Sequence, residues 1–139
     1  MDFFDLHCDT LTQLMQSGGS LWDAPGCHVS LKKASAFGRW AQVYACFVPD
    51  AQNGKGAFTC YERQRDVFLC QMKQCAQQVR PCADGAALSA AFACGQRAAI
   101  LSVENGAALE GDISRLEIFR RDGVRFLTLT WFGENELGY

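Results

Sequence analysis

The chain opens on Met1-Asp2-Phe3-Phe4, a short apolar run that predicts a strand. A polar stretch follows, Asp5-Leu6-His7-Cys8-Asp9-Thr10. Leu11, Leu14 and Met15 then recur at helical spacing, and Gly18-Gly19 stops them. Thr10 and Gln13 have the form of a capping box for that helix. Residues 20–38 carry no period; Pro25-Gly26 marks a turn and His28 lies just past it. From Trp40 to Val48 the chain is almost continuously apolar, as a strand covered on both faces would be, and Pro49-Asp50 ends it. Thr59-Cys60-Tyr61-Glu62 reads as a second capping box, for a helix running to about Val79 with Phe68, Met72, Cys75 and Val79 on its apolar stripe.

Asp84 is placed to cap a helix that ends near Cys94. Ala98 to Val103 predicts a third strand, closed by Glu104 and Asn105-Gly106. Asp112 is placed to cap a helix from Ile113 to about Arg121, and Val124 to Trp131 predicts a fourth strand. The order is strand-helix three times, then strand. Right-handed crossovers make this an α/β fold with a parallel sheet and outer helices. A closed eight-stranded barrel takes about 250 residues, so four such strands make roughly half of one. A small open four-stranded sheet is the alternative.

Composition narrows the classes. Of 139 residues, 49% are hydrophobic and 20% charged, the balance of one globular domain rather than a disordered chain. The net charge of −2 comes from interspersed acids and bases, so neither a nucleic-acid surface nor a polybasic membrane anchor is expected. No run has the length of a membrane span, and no basic and apolar leader opens the chain, so the expected location is cytoplasmic. Eight cysteines are present without any C-x-x-C pair, which argues against zinc-ribbon, ferredoxin and thioredoxin chemistry. Most are expected to be buried thiols.

Chemistry is concentrated at two strand ends. If the first strand continues regularly, Asp5, His7 and Asp9 share one face and Cys8 points to the other. Imidazole with carboxylate is a ligand set for zinc and similar ions. Glu104, at the end of an apolar strand, must be solvated, paired or bound to metal. A parallel sheet brings His7, Asp9 and Glu104 to one rim. The plainer alternative is that these are strand-end residues capping the following helices, with His7 merely hydrogen-bonded. His28 is expected on a surface loop; the alternative is a role beside the metal or substrate.

Three segments together resemble the membrane (renal) dipeptidase family: Asp5-Leu6-His7-Cys8-Asp9-Thr10, Ala99-Ile100-Leu101-Ser102-Val103-Glu104-Asn105-Gly106, and Gly123-Val124-Arg125-Phe126-Leu127-Thr128-Leu129-Thr130. The resemblance implies a (β/α)8 barrel, two zinc ions and cleavage of dipeptides by a metal-held water. It implies that His7 and Asp9 bind the first zinc and that Glu104 bridges both and acts in catalysis. Many members carry Thr-His-x-x-Asn after the fourth strand, in contact with substrate. Here the run is Thr130-Trp131-Phe132-Gly133-Glu134-Asn135, which places Trp131 and Asn135 as substrate-binding candidates and leaves no imidazole there.

Further metal histidines and a late aspartate come, in the family, from strands beyond the fourth. Residues 1–139 are therefore expected to be a single incomplete domain, binding at most one zinc and inactive alone. Homo-oligomerisation through its open sheet edges is a further expectation. The competing readings are another metal-dependent amidohydrolase, a non-catalytic half-barrel interaction module, and a thiol-based metal or redox protein.

Overall fold

The four expected strands form one parallel sheet in the computed structural model, which describes residues 1–138. They are β1 (Phe3–Asp5), β2 (Trp40–Phe47), β4 (Arg97–Glu104) and β5 (Val124–Thr128). A short extra strand, β3 (Val79–Pro81), was not expected. The helices are α1 (Thr10–Ser17), α2 (Leu31–Ala34), α3 (Ala57–Gln74), α4 (Gly85–Ala93) and α5 (Arg115–Asp122). β2 lies between β1 and β4. The far edge of β4 is shared: β3 pairs with its first residues, 97–99, and β5 with its last, 101–104. Among the described residues β1 and β5 pair on one side only, so the sheet has two open ends.

The register assigns the two faces. Tyr44, Cys46, Leu101 and Val103 belong to one apolar cluster with Leu11 and Leu14 of α1 and with Tyr61, Phe68 and Met72 of α3. Phe119 of α5 joins that layer, its ring centroid 4.5 Å from that of Tyr61. On the other face Ala41 pairs with Ala98 and Val43 with Ile100, and α4 covers them through Ala91, Leu88 and Phe92. The α4 sequence, Gly-Ala-Ala-Leu-Ser-Ala-Ala-Phe-Ala, has no charged side and small residues that allow close approach. So α4 closes the inner face at the amino ends of the strands. Towards the carboxyl ends of that face Ala45 and Ser102, both buried, are followed in register by Phe47 and Glu104, both partly exposed.

Several expected boundaries shift for identifiable reasons. Helix α3 starts at Ala57, two residues before Thr59, behind a left-handed Gly56. Its first turn is capped from a distance, because the Glu110 carboxylate accepts the Gly56 and Phe58 N–H groups at 2.8 and 3.0 Å. The same helix stops at Gln74 rather than near Val79, since Val79 is drawn into the sheet opposite Arg97. Helix α1 begins at Thr10 with Asp9 before it and no side-chain cap. The Thr10 hydroxyl instead donates to the Val29 carbonyl. Asp112 does bind the Ser114 N–H, but the helix proper begins only at Arg115. Asp84 caps α4 as expected, accepting the Ala87 N–H at 2.7 Å. Strand β5 ends at Thr128, three residues short of Trp131.

Candidate metal centre

A bulge decides which residues reach the rim. Asp5 is opposite Gln42 in the sheet. The Cys8 N–H donates to Val43 O and the Ala45 N–H to Cys8 O, which sets Cys8 opposite Tyr44. Three steps along the first strand therefore match two along the second. The extra residue re-aims the chain after Asp5, as bulges do. Cys8 turns into the apolar layer beside α1, where burial pushes its thiol up to about 11. His7 and Asp9 turn to the open side.

There they meet Glu104. His7 Nε2 lies 3.4 Å from Asp9 Oδ1 and 3.5 Å from Glu104 Oε2. One donor atom from each of the three lies within 4.8 Å of the others, and no other such group of donors occurs among the described residues. Donors about 2.0–2.1 Å from a tetrahedral ion stand about 3.4 Å apart. The spacing around His7 therefore fits a divalent ion, with imidazole and carboxylate as its natural donors. Asp5, expected on the same face, stays outside the cluster. Its Oδ1 instead accepts the His7 backbone N–H at 3.2 Å, a consequence of the bulge.

Exposure differs across the three. The Glu104 side chain is 19% exposed, against 46% for His7 and 60% for Asp9. Burial raises the Glu104 carboxyl above the ordinary glutamate value; His7 opposes that rise and Asp9 adds to it. A cavity of about 490 Å³ opens beside the cluster, and His7, Asp9, Gln13 and His28 are among its lining residues. His28 is thus on an exposed loop, as expected, but one that borders the site.

The two residues expected to meet substrate part company. Trp131 is half exposed and packs edge-on against Phe47, ring centroids 4.9 Å apart. Phe47 is the register partner of Glu104, so the indole stands on the rim near the cluster. Asn135 is different. Its Nδ2 donates to Asn105 Oδ1 and Leu129 O, both at 2.8 Å, and its Oδ1 accepts the Leu137 N–H. Its amide is thus committed to neighbouring loops, which ties Asn135 into the rim.

Residue-by-residue reading missed Asn53, Asn105 and Gln64. Asn105 is fully buried at φ 79° and bonds Val48 O and Asn53 Oδ1, each at 2.9 Å. The available signal was an Asn-Gly pair just after each of two apolar strands, Asn53-Gly54 and Asn105-Gly106.

The sequence model of the membrane dipeptidases, peptidase family M19, matches residues 1–138. No curated protein matches. Among solved structures, the chain is similar to a metallo-peptidase from Rhodobacter sphaeroides liganded with a phosphinate mimic of the dipeptide L-Ala-D-Ala. The TM-score is 0.84 at 19% identity, over 97% of this chain and 47% of that one. It is similar to the M19 metallo-peptidase dipeptidase AC, with TM-score 0.83 and 20% identity over 94% of this chain and 43% of the other. The probable dipeptidase PvdM from Pseudomonas aeruginosa gives 0.80 and 20% over 97% and 36%. At such identities the structural likeness shows the fold, and the chain spans less than half the length of each. Among the described residues no helix is long and apolar enough to cross a membrane. The family match over 138 residues, together with the half-barrel sheet, shows that the chain belongs to the membrane dipeptidase family, peptidase family M19.

Proposed function

We propose that residues 1–139 are the amino-terminal metal-binding half of a zinc dipeptidase. The observation that carries this reading is the meeting of His7, Asp9 and Glu104 on one rim, from segments almost a hundred residues apart. In this reading His7 and Asp9 hold one zinc, and Glu104 reaches both that ion and a second. Zinc bound there supplies a Lewis acid and a water of lowered pKa, the chemistry that amide hydrolysis requires.

The chain's own groups have separate tasks. His7 offers Nε2 as a neutral donor, and Asp9 and Glu104 offset the charge of the ion. Partial burial of Glu104 keeps bulk water from its carboxylate and strengthens its hold on a cation. Trp131 and Phe47 form an apolar wall on the same rim, suited to a side chain of a bound dipeptide. The dipeptide mimic in the Rhodobacter sphaeroides relative supports that substrate class. Among the described residues three donors converge, enough for one ion's protein shell, and the remaining ligands of a two-zinc site would come from elsewhere.

Zinc titration of the chain by calorimetry, with competition by a chromophoric chelator, tests this. One zinc per chain is expected, with affinity lost in His7→Ala and Glu104→Gln. Little peptidase activity is expected from the chain alone. Absence of binding, or binding that both substitutions leave intact, overturns the proposal.

A further inference from the structure

We infer that Asn105 is a positioning residue of the metal centre: its buried amide ties the loops after β2, β4 and β5 into one rim and thereby sets where Glu104 is presented. The inference rests on the zinc reading of the cluster. Among the described residues, the Glu104 carboxylate has His7 3.5 Å away but no hydrogen bond from any neighbour. Its orientation must therefore come from its own backbone, and that backbone runs straight into Asn105.

Every hydrogen-bonding capacity of the Asn105 amide is used. Nδ2 donates to Val48 O and to Asn53 Oδ1, both at 2.9 Å, with Asp50 Oδ1 at 3.4 Å. Oδ1 accepts the Ala107 N–H at 3.1 Å and the Asn135 Nδ2 at 2.8 Å. The Asn53 Nδ2 in turn donates to Glu134 O at 2.8 Å. One side chain thus joins the loop after β2, the loop after β4 and the loop carrying Trp131. The chain around it is poorly tolerant of error: Asn105 sits at φ 79°, a conformation that asparagine accepts better than most residues. The bonds of a buried, saturated network strengthen one another, so removing its centre is felt in every arm and removing one arm is felt less. Breaking it releases both Glu104 and Trp131.

A merely structural role would lower stability and leave the metal geometry of the folded chain alone. Cobalt(II) separates the two, since its visible bands report ligand geometry. Titration of the 139-residue chain well below its melting temperature compares wild type with Asn105→Gly, Asn53→Ala and Asn135→Ala. Glycine accepts the positive φ, so Asn105→Gly removes the amide without adding backbone strain. The expected result is a 10–100-fold loss of cobalt affinity in Asn105→Gly, the usual range for groups that orient ligands, with shifted bands. Asn53→Ala and Asn135→Ala, each removing one arm, are expected to show smaller losses. Wild-type affinity and bands in a folded Asn105→Gly overturn the inference, whatever its melting temperature. If that variant does not fold, unchanged binding in Asn135→Ala overturns it instead. A wild-type chain that binds no cobalt overturns the zinc reading itself, and the inference falls with it.

Discussion

Replacing Gln64 with leucine removes an amide that stands in for a missing strand. Past Cys8 the first segment leaves the sheet to start α1, so the edge of β2 next to it loses its partner at Phe47. The Phe47 N–H and C=O point to that empty side, because Val48 on the other side already donates to Glu104 O. Gln64, fully buried on α3, fills the gap. Its Oε1 accepts the Phe47 N–H at 3.0 Å, and its Nε2 donates to Phe47 O at 2.6 Å. The same Oε1 accepts the Thr12 hydroxyl at 3.0 Å. Leucine has nearly the same bulk but strands the Phe47 N–H and leaves Phe47 O only the weak Cys60 thiol donor at 3.7 Å.

An unsatisfied buried group costs about 1–3 kcal/mol, and apolar contacts of leucine offset part of the sum, leaving a net loss of roughly 2–4 kcal/mol. For a chain of this length that is a fall of about 10 °C in melting temperature. Urea denaturation followed by circular dichroism measures the loss, and amide hydrogen exchange should show the Phe47 N–H losing its protection. A loss under about 1 kcal/mol with unchanged Phe47 exchange refutes the surrogate-strand reasoning. Because Phe47 packs on Trp131 and is in register with Glu104, the variant should also bind zinc less well.

Other outcomes follow from the same packing. A Cβ at Gly106 would run into the Leu137 side chain and lie 2.7 Å from Leu129 O, so Gly106→Ala should detach the last loop and raise its susceptibility to limited proteolysis. Cys70 and Cys94 are the exposed thiols among eight, so titration with a disulfide reagent under native conditions should show two fast equivalents, with Cys8 silent until unfolding. The Glu110 carboxyl is held below its usual value, first by the Phe58 N–H and then by Arg115. Its stabilisation is therefore complete above the ordinary glutamate pKa of about 4.3 and fades as pH falls through the lowered one. Glu110→Gln should cost melting temperature at pH 7, and the gap to wild type should close below about pH 4.

The four main strands, the ligand-bearing strand ends and the Asp84 cap were all legible in the sequence. Each depends on local pattern: apolar runs bounded by turns, or a capping residue ahead of a helix. His7, Asp9 and Glu104 could be placed on a common rim for the same reason, since parallel strands put their carboxyl ends together. What local pattern could not supply was anything that depends on a partner distant in the chain. Thr59 looked like a cap, yet Glu110 caps that helix from more than fifty residues away. Val79 carried the helical stripe, yet an open edge on β4 drew it into a strand. Asp5 shared the two-residue period of His7 and Asp9, yet pairing with β2 forced a bulge between them. The amide of Asn135 was read only as a substrate group, yet in the fold it also holds Asn105 and Leu129. Backbone and amide hydrogen bonds must be satisfied somewhere in a buried rim, and only the folded chain determines which distant group satisfies each.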